Sequence, residues 1–176
     1  HLPWSLPGAN FAIGMDALSA FFTVPIIAIC ALAAFYGREY LRPYEGRKAL
    51  GVSWCMFNLL VASMLLVVLA RNAMLFLLAW EAMSLTSFFL VMFEGEKADV
   101  RRAGWTYLVA THIGTAFLLV MFVLLGQSAG SLDFAGFSRI ADTPVIASLA
   151  FVLAVVGFGT KAGFMPFHVW LPEAHP

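Results

Sequence analysis

The sequence predicts an all-α, polytopic transmembrane helical bundle of about five spanning helices, and three observations carry that prediction. Hydrophobic residues make up 62% of the 176 residues and charged residues only 11%, against about 45–50% and about 25% in a soluble globular domain. The charges are not scattered but punctuate long apolar runs, each long enough for the roughly 20 residues that a spanning helix needs. The linkers between runs are short and polar, and the short alternating segments of a membrane β-barrel are absent.

The runs place spans at 15–37, 49–70, 72–93, 103–130 and 143–171. In the first, nothing is charged from Ala17 to Gly37, and Pro25 within it predicts a kink. The second fills the gap between Lys48 and Arg71. Arg71 and Asn72 alone separate it from the third, so these two spans form a tight hairpin, with both residues read as interface anchors. The third carries one charge, Glu81, and the fourth carries none between Arg102 and Asp133. The fifth carries Lys161 together with Gly157, Gly159, Gly163 and Pro166. Glycine and proline weaken a helix, so this span is expected to be broken near Gly157–Pro166, with the carbonyl of Ala162 left free beside Lys161. Irregular backbone at that depth is tolerated where it lines a wet cavity. The chain begins at His1 and stops at Pro176 just after an apolar run, which reads as one piece of a longer integral membrane domain. No signal peptide is recognisable.

Lysine and arginine give the orientation. The loops after the first and third spans hold seven (Arg38, Arg42, Arg47, Lys48, Lys97, Arg101, Arg102), and the other two loops hold two (Arg71, Arg139). The positive-inside rule makes the first pair of loops cytoplasmic. Zero net charge argues against nucleic acid as a partner. Cys30 and Cys55 lie in apolar runs without a CxxC or a Cys/His cluster. They read as packing residues, and neither a metal nor any other cofactor is expected in this chain.

Function is legible in the few titratable side chains inside the spans. Glu81 lies about 15 Å from one end of its helix and about 20 Å from the other, near the bilayer midplane. A carboxylate there is expensive unless protonated, paired or hydrated. Ser84 and Ser87 follow at spacings of three and extend its polar stripe. A proton or ion pathway accounts for the stripe; so does a structural pair with a basic neighbour. Lys161 is the natural partner. Its alternative is snorkelling, because it lies about 28 Å from Asp142 along a straight helix. His112, with Thr111 and Thr115 beside it, suits a proton relay, and a satisfied core histidine fits equally well. His168 and His175 flank Trp170 and Glu173 in a segment resembling a membrane interface, at a spacing that matches no metal motif.

Two stretches carry a family resemblance: Trp80-Glu81-Ala82-Met83-Ser84-Leu85, and Gly157 through Thr160-Lys161-Ala162-Gly163 to Pro172-Glu173-Ala174-His175-Pro176. They resemble the antiporter-like, proton-pumping membrane subunits of respiratory complex I, Mrp-type antiporters and energy-converting hydrogenases. Within that group they are most similar to the hydrogenase-4 and formate hydrogenlyase type. The resemblance implies a larger fold with two inverted repeats, of which these spans would form the first. It implies that Glu81 is the paired acid and Lys161 the central lysine of one half-channel, and that the fifth span is broken. The role of His112 rests on the residues rather than on the resemblance. The expected protein is a proton-translocating subunit in a bacterial or archaeal cell membrane. Its expected partners are the lipid bilayer, other membrane subunits of the same complex and a peripheral redox arm that carries the redox centres. Sodium/proton exchange without a redox partner and a passive membrane anchor are the alternatives.

Overall fold

The computed structural model describes residues 2–4, 10–142 and 144–174. Among them, five helices are long and apolar enough to cross a membrane. A two-residue antiparallel pair, β1 (Leu2–Pro3) with β2 (Asn10–Phe11), precedes them. The helices are α1 (Ala17–Leu41), α2 (Leu50–Leu69), α3 (Ala73–Val91), α4 (Ala98–Ala129) and α5 (Pro144–Ala162), followed by the single turn α6 (Leu171–Ala174). Short 3-10 segments at Arg42–Tyr44, Met92–Glu94 and Phe134–Asp142 carry the loops.

Helix ends follow local chemistry. The Asp16 carboxylate caps α1 by accepting from the Ser19 amide at 2.7 Å, and Asn72 caps α3 through the Met74 amide at 3.0 Å. Gly130, at φ 68°, takes the left-handed position that ends α4. Pro144 opens α5, where its missing N–H is no loss.

Three boundaries differ from the sequence reading, the first being the end of α1 at Leu41 rather than at 37. The fourth helix starts at Ala98 rather than at 103, because its first turns carry Asp99, Arg101 and Arg102 beyond the apolar stretch. The fifth ends at Ala162 rather than at 171, because Gly163 turns left-handed at φ 70°. Gly157 and Gly159, expected at the break, lie inside α5, while Pro166 lies beyond the helix in a turn that contains the cis Met165–Pro166 bond.

The exposure pattern is that of a membrane protein. Phe35 is 83% and Val145 77% exposed, whereas Ser84 is fully buried and Thr111 nearly so. Helices in lipid gain nothing from hiding apolar side chains, so small and polar residues take the helix interfaces. Helices α4 and α5 approach each other closely. A Cβ on Gly157 would lie 2.6 Å from Leu118 Cδ2 and 3.0 Å from the Gly114 carbonyl oxygen. Gly157 is thus a contact point rather than a break. The α3–α4–α5 core is aromatic: Phe76 stacks on Trp80 at 5.5 Å, and Phe158 meets the Trp80 ring edge-on at 5.5 Å.

The α2–α3 turn is tied into both neighbouring stretches of the chain, with Asn72 buried and Arg71 half-buried. The Arg71 amide donates to the Ala12 carbonyl and the Ala73 amide to that of Leu132, both at 2.8 Å. The Phe134 amide closes onto the Arg71 carbonyl at 3.0 Å. Asn72 is fully buried, and its Nδ2 donates to Asp133 Oδ1 at 2.8 Å. Arg71 reaches Ser19 Oγ at 2.8 Å and Asp16 at 3.1 Å. The Asp16 carboxyl is held below the usual carboxylate range, chiefly by the Ser19 amide and less by Arg71. Removing one partner of a buried hydrogen bond leaves the other unsatisfied, so Asn72→Ala should destabilise the protein by about 1–3 kcal/mol. Thermal unfolding of the full-length protein in detergent should show a lowered midpoint, and an unchanged midpoint would contradict this role.

At the opposite end the α1–α2 and α3–α4 loops meet. Lys48 Nζ donates to the Phe93 carbonyl at 2.5 Å and to Glu96 at 3.0 Å, and this contact with Lys48 is the main cause that lowers the Glu96 pKa. The Tyr44 hydroxyl donates to Glu94 at 3.2 Å. The two basic loops therefore share one face, as the charge count expects.

Candidate functional site

Three adjacent helices bring the intramembrane titratable groups into two clusters that share α3. In the first, Glu81 Oε2 of α3 faces His112 Nε2 of α4 at 3.4 Å. The other imidazole nitrogen, Nδ1, is 2.8 Å from the Leu108 carbonyl oxygen. A carbonyl only accepts, so Nδ1 carries the hydrogen. Nε2 is left as the ring nitrogen that faces the Glu81 carboxylate. Glu81 Oε1 is buried without a hydrogen-bond partner.

In the second cluster, Lys161 Nζ donates to the Tyr107 hydroxyl at 2.8 Å and to Ser84 Oγ at 3.2 Å. It also sits over the Tyr107 ring, 5.2 Å from its centroid, and 6.0 Å from that of Trp80, near enough for a cation–π attraction. Ser84 lies about 16 Å from Ala73 and about 10 Å from Val91 along α3. Lys161, in the last turn of α5, is therefore level with the interior of α3 rather than with its end. The chain after α5 folds back over it: Trp170 meets the Tyr107 ring edge-on at 5.1 Å and donates its indole N–H to the Thr160 carbonyl at 2.7 Å. A cavity of about 250 Å³ opens beside Lys161, bounded by Leu60, Met64, Met83, Ser87, Tyr107 and Trp170. Its volume exceeds the roughly 30 Å³ that one water occupies in the liquid, and Lys161, Ser87 and Tyr107 are the polar residues on an otherwise mainly apolar wall.

The expected direct Glu81–Lys161 ion pair is not formed. Glu81 faces His112, while Lys161 is held by Ser84 and Tyr107. The acid and the amine are thus linked through α3, where Glu81 and Ser84 lie one turn apart. Ser87 lines the Lys161 cavity, with its hydroxyl donating to the Met83 carbonyl. Thr115 donates to the Thr111 carbonyl within its own helix and meets neither cluster. His168 also stands apart: its Nδ1 is buried without a partner. Of the glycines, Gly159 makes room for the Phe164 ring and Gly163 sets the turn. His175 lies outside the described residues.

Tyr107 is a site residue that the sequence reading misses. The signal is present: Tyr107, Thr111, Gly114 and Leu118 form an i, i+4, i+7, i+11 stripe, which is one helix face. All four are buried.

Comparison with known proteins places the chain. The transmembrane family described as NADH:quinone oxidoreductase/Mrp antiporter matches residues 70–176. Hydrogenase-4 component B of Escherichia coli strain K12 is 40% identical over 168 residues, covering 96% of this chain and 25% of that protein. The Na(+)/H(+) antiporter subunit A1 of Staphylococcus haemolyticus is 34% identical over 171 residues, covering 95% of this chain and 21% of that protein. The chain thus spans about a quarter of the length of these relatives. A chain of respiratory complex I from Thermus thermophilus superposes with a TM-score of 0.73 at 26% identity, over 96% of this chain and 36% of that one. A chain of the membrane-bound sulfane sulfur reductase, an archaeal respiratory membrane complex, gives 0.75 over 87% of this chain and 32% of that one. Its 19% identity speaks for the fold alone. This integral membrane chain belongs to the NADH:quinone oxidoreductase/Mrp antiporter family of transmembrane proteins.

Proposed function

We propose that the chain is part of a proton-translocating subunit of a redox-driven membrane complex of the hydrogenase-4 or complex I-like type. The observation that carries this reading is the placement of Glu81, His112 and Lys161 on three adjacent membrane-spanning helices, Glu81 facing His112 and Lys161 hydrogen-bonded to Tyr107 beside a cavity. A passive anchor has no use for three such groups, each expensive to place in lipid. Partner membrane subunits and a peripheral redox arm supply the driving force in this reading. The two basic loops face the cytoplasm of a bacterial or archaeal cell.

Glu81 is the moving counter-charge. Beside His112 it leaves Lys161 without a close anion, and beside Lys161 it stabilises the ammonium. Gaining or losing such a neighbour changes proton affinity by about 3–4 kcal/mol. Moving one charge against about 150 mV costs about 3.5 kcal/mol, so one switched pair matches one proton. Ser87, on the wall of the cavity beside Lys161, is a further hydroxyl available to the pathway.

Glu81→Gln removes the switchable charge at nearly constant shape. In the full-length complex in proteoliposomes it should cut proton translocation sharply while leaving assembly intact, and normal translocation would overturn the role. The antiporter relative favours one other reading, sodium/proton exchange. Translocation that requires sodium and persists without a redox partner would establish it instead.

A further inference from the structure

We propose that the phenol of Tyr107 is the relay through which a proton passes between Lys161 and the adjoining cavity. This rests on the proton-handling role proposed for Lys161. The ammonium has two hydroxyl partners, and they differ in what they do with their own hydrogens. Ser84 Oγ donates to the Trp80 carbonyl at 3.0 Å, so its single hydrogen is committed to the backbone. Tyr107 accepts from Lys161 at 2.8 Å, and among the described residues its own hydrogen meets no protein acceptor. Tyr107 also lines the cavity, which Ser84 does not. Ser84 is therefore a dead end, and Tyr107 is an open one.

The step balances without ionising the tyrosine. The Lys161 N–H bond breaks as an O–H bond forms on the phenol. The original phenol O–H bond breaks, and its proton passes to a water in the cavity. Lys161 is left as the neutral amine, and Tyr107 is left as a phenol carrying the new hydrogen. The tyrosine is firmly held, being only 4% exposed with Trp170 packed against its ring. A hydroxyl on so constrained a ring keeps its position while the proton moves.

Tyr107→Phe keeps the ring, its packing on Trp170 and its face toward Lys161, and removes only the oxygen. In the full-length complex in proteoliposomes, translocation per assembled complex should fall about 100-fold, at the lower end of what a positioned proton donor contributes. Fluorotyrosine incorporated at position 107 preserves every contact and makes the phenol more acidic. It should restore translocation with an altered rate and an altered solvent deuterium isotope effect. Wild-type translocation by Tyr107→Phe overturns the relay. So does restoration by fluorotyrosine at an unaltered rate and isotope effect, which makes the hydroxyl a positioning group only. Lys161→Ala is assayed alongside: if that variant pumps normally, the function proposed for the site fails. If it is inactive and Tyr107→Phe is normal, only the relay fails.

Discussion

Lys161→Ala in the full-length protein should abolish proton translocation while leaving the complex assembled. The alanine side chain keeps the last turn of α5 and removes the one amine at the junction of α3, α4 and the folded-back segment. Ser84 and Tyr107 would then lose the amine they share, and no fixed proton carrier would remain between them. A loss of at least about 100-fold is expected from the contribution of positioned acid–base groups. Lys161→Arg sharpens the test. Arginine retains the charge and hydrogen-bonding capacity, but it does not give up its proton in proteins. If release from this side chain is the working step, arginine fails as completely as alanine. Restoration by arginine would show that charge alone suffices and would end the carrier role.

Gly157→Leu should separate α4 from α5. Even the first added carbon would overlap Leu118 and the Gly114 carbonyl oxygen, and a backbone carbonyl does not rotate away. Overpacking of a tight contact costs about 1–3 kcal/mol, and the longer side chain also blocks the approach that places Lys161 beside Tyr107. The thermal midpoint of the purified protein should fall and the yield of assembled complex with it. Gly51→Ala is the matched control: a Cβ there meets nothing within 4 Å, and alanine favours a helix by about 1 kcal/mol over glycine. A Gly157→Leu protein as stable as the control would show that the close approach of the two helices contributes nothing.

The spans are legible in the sequence because charge is so costly in lipid that its absence outlines each helix. Glu81, His112 and Lys161 stand out for the same reason. Their partners do not. Which side chain meets which depends on how each helix is rotated, and rotation is set by contacts such as Gly114 with Gly157 between residues far apart in sequence. Hence the sequence matches Glu81 with the nearest obvious amine, whereas the fold turns it toward His112. Gly157 reads as a break because glycine is both flexible and small, and the sequence does not say which property is used. Arg71 and Asn72 read as a simple turn because nothing local announces that Ala12 on one side and Leu132 on the other will close over them.

The stitching around Arg71 bears on where substitution is felt. Three stretches distant in the chain are sewn into one rigid plate by main-chain bonds at that end of the bundle. The far end of α5 is tied differently, through side chains: Lys161 to Ser84 and Tyr107, and Trp170 to the Thr160 carbonyl. Main-chain ties persist whatever side chains sit there, whereas each tie beside Lys161 is lost with one residue, so substitution loosens that end first.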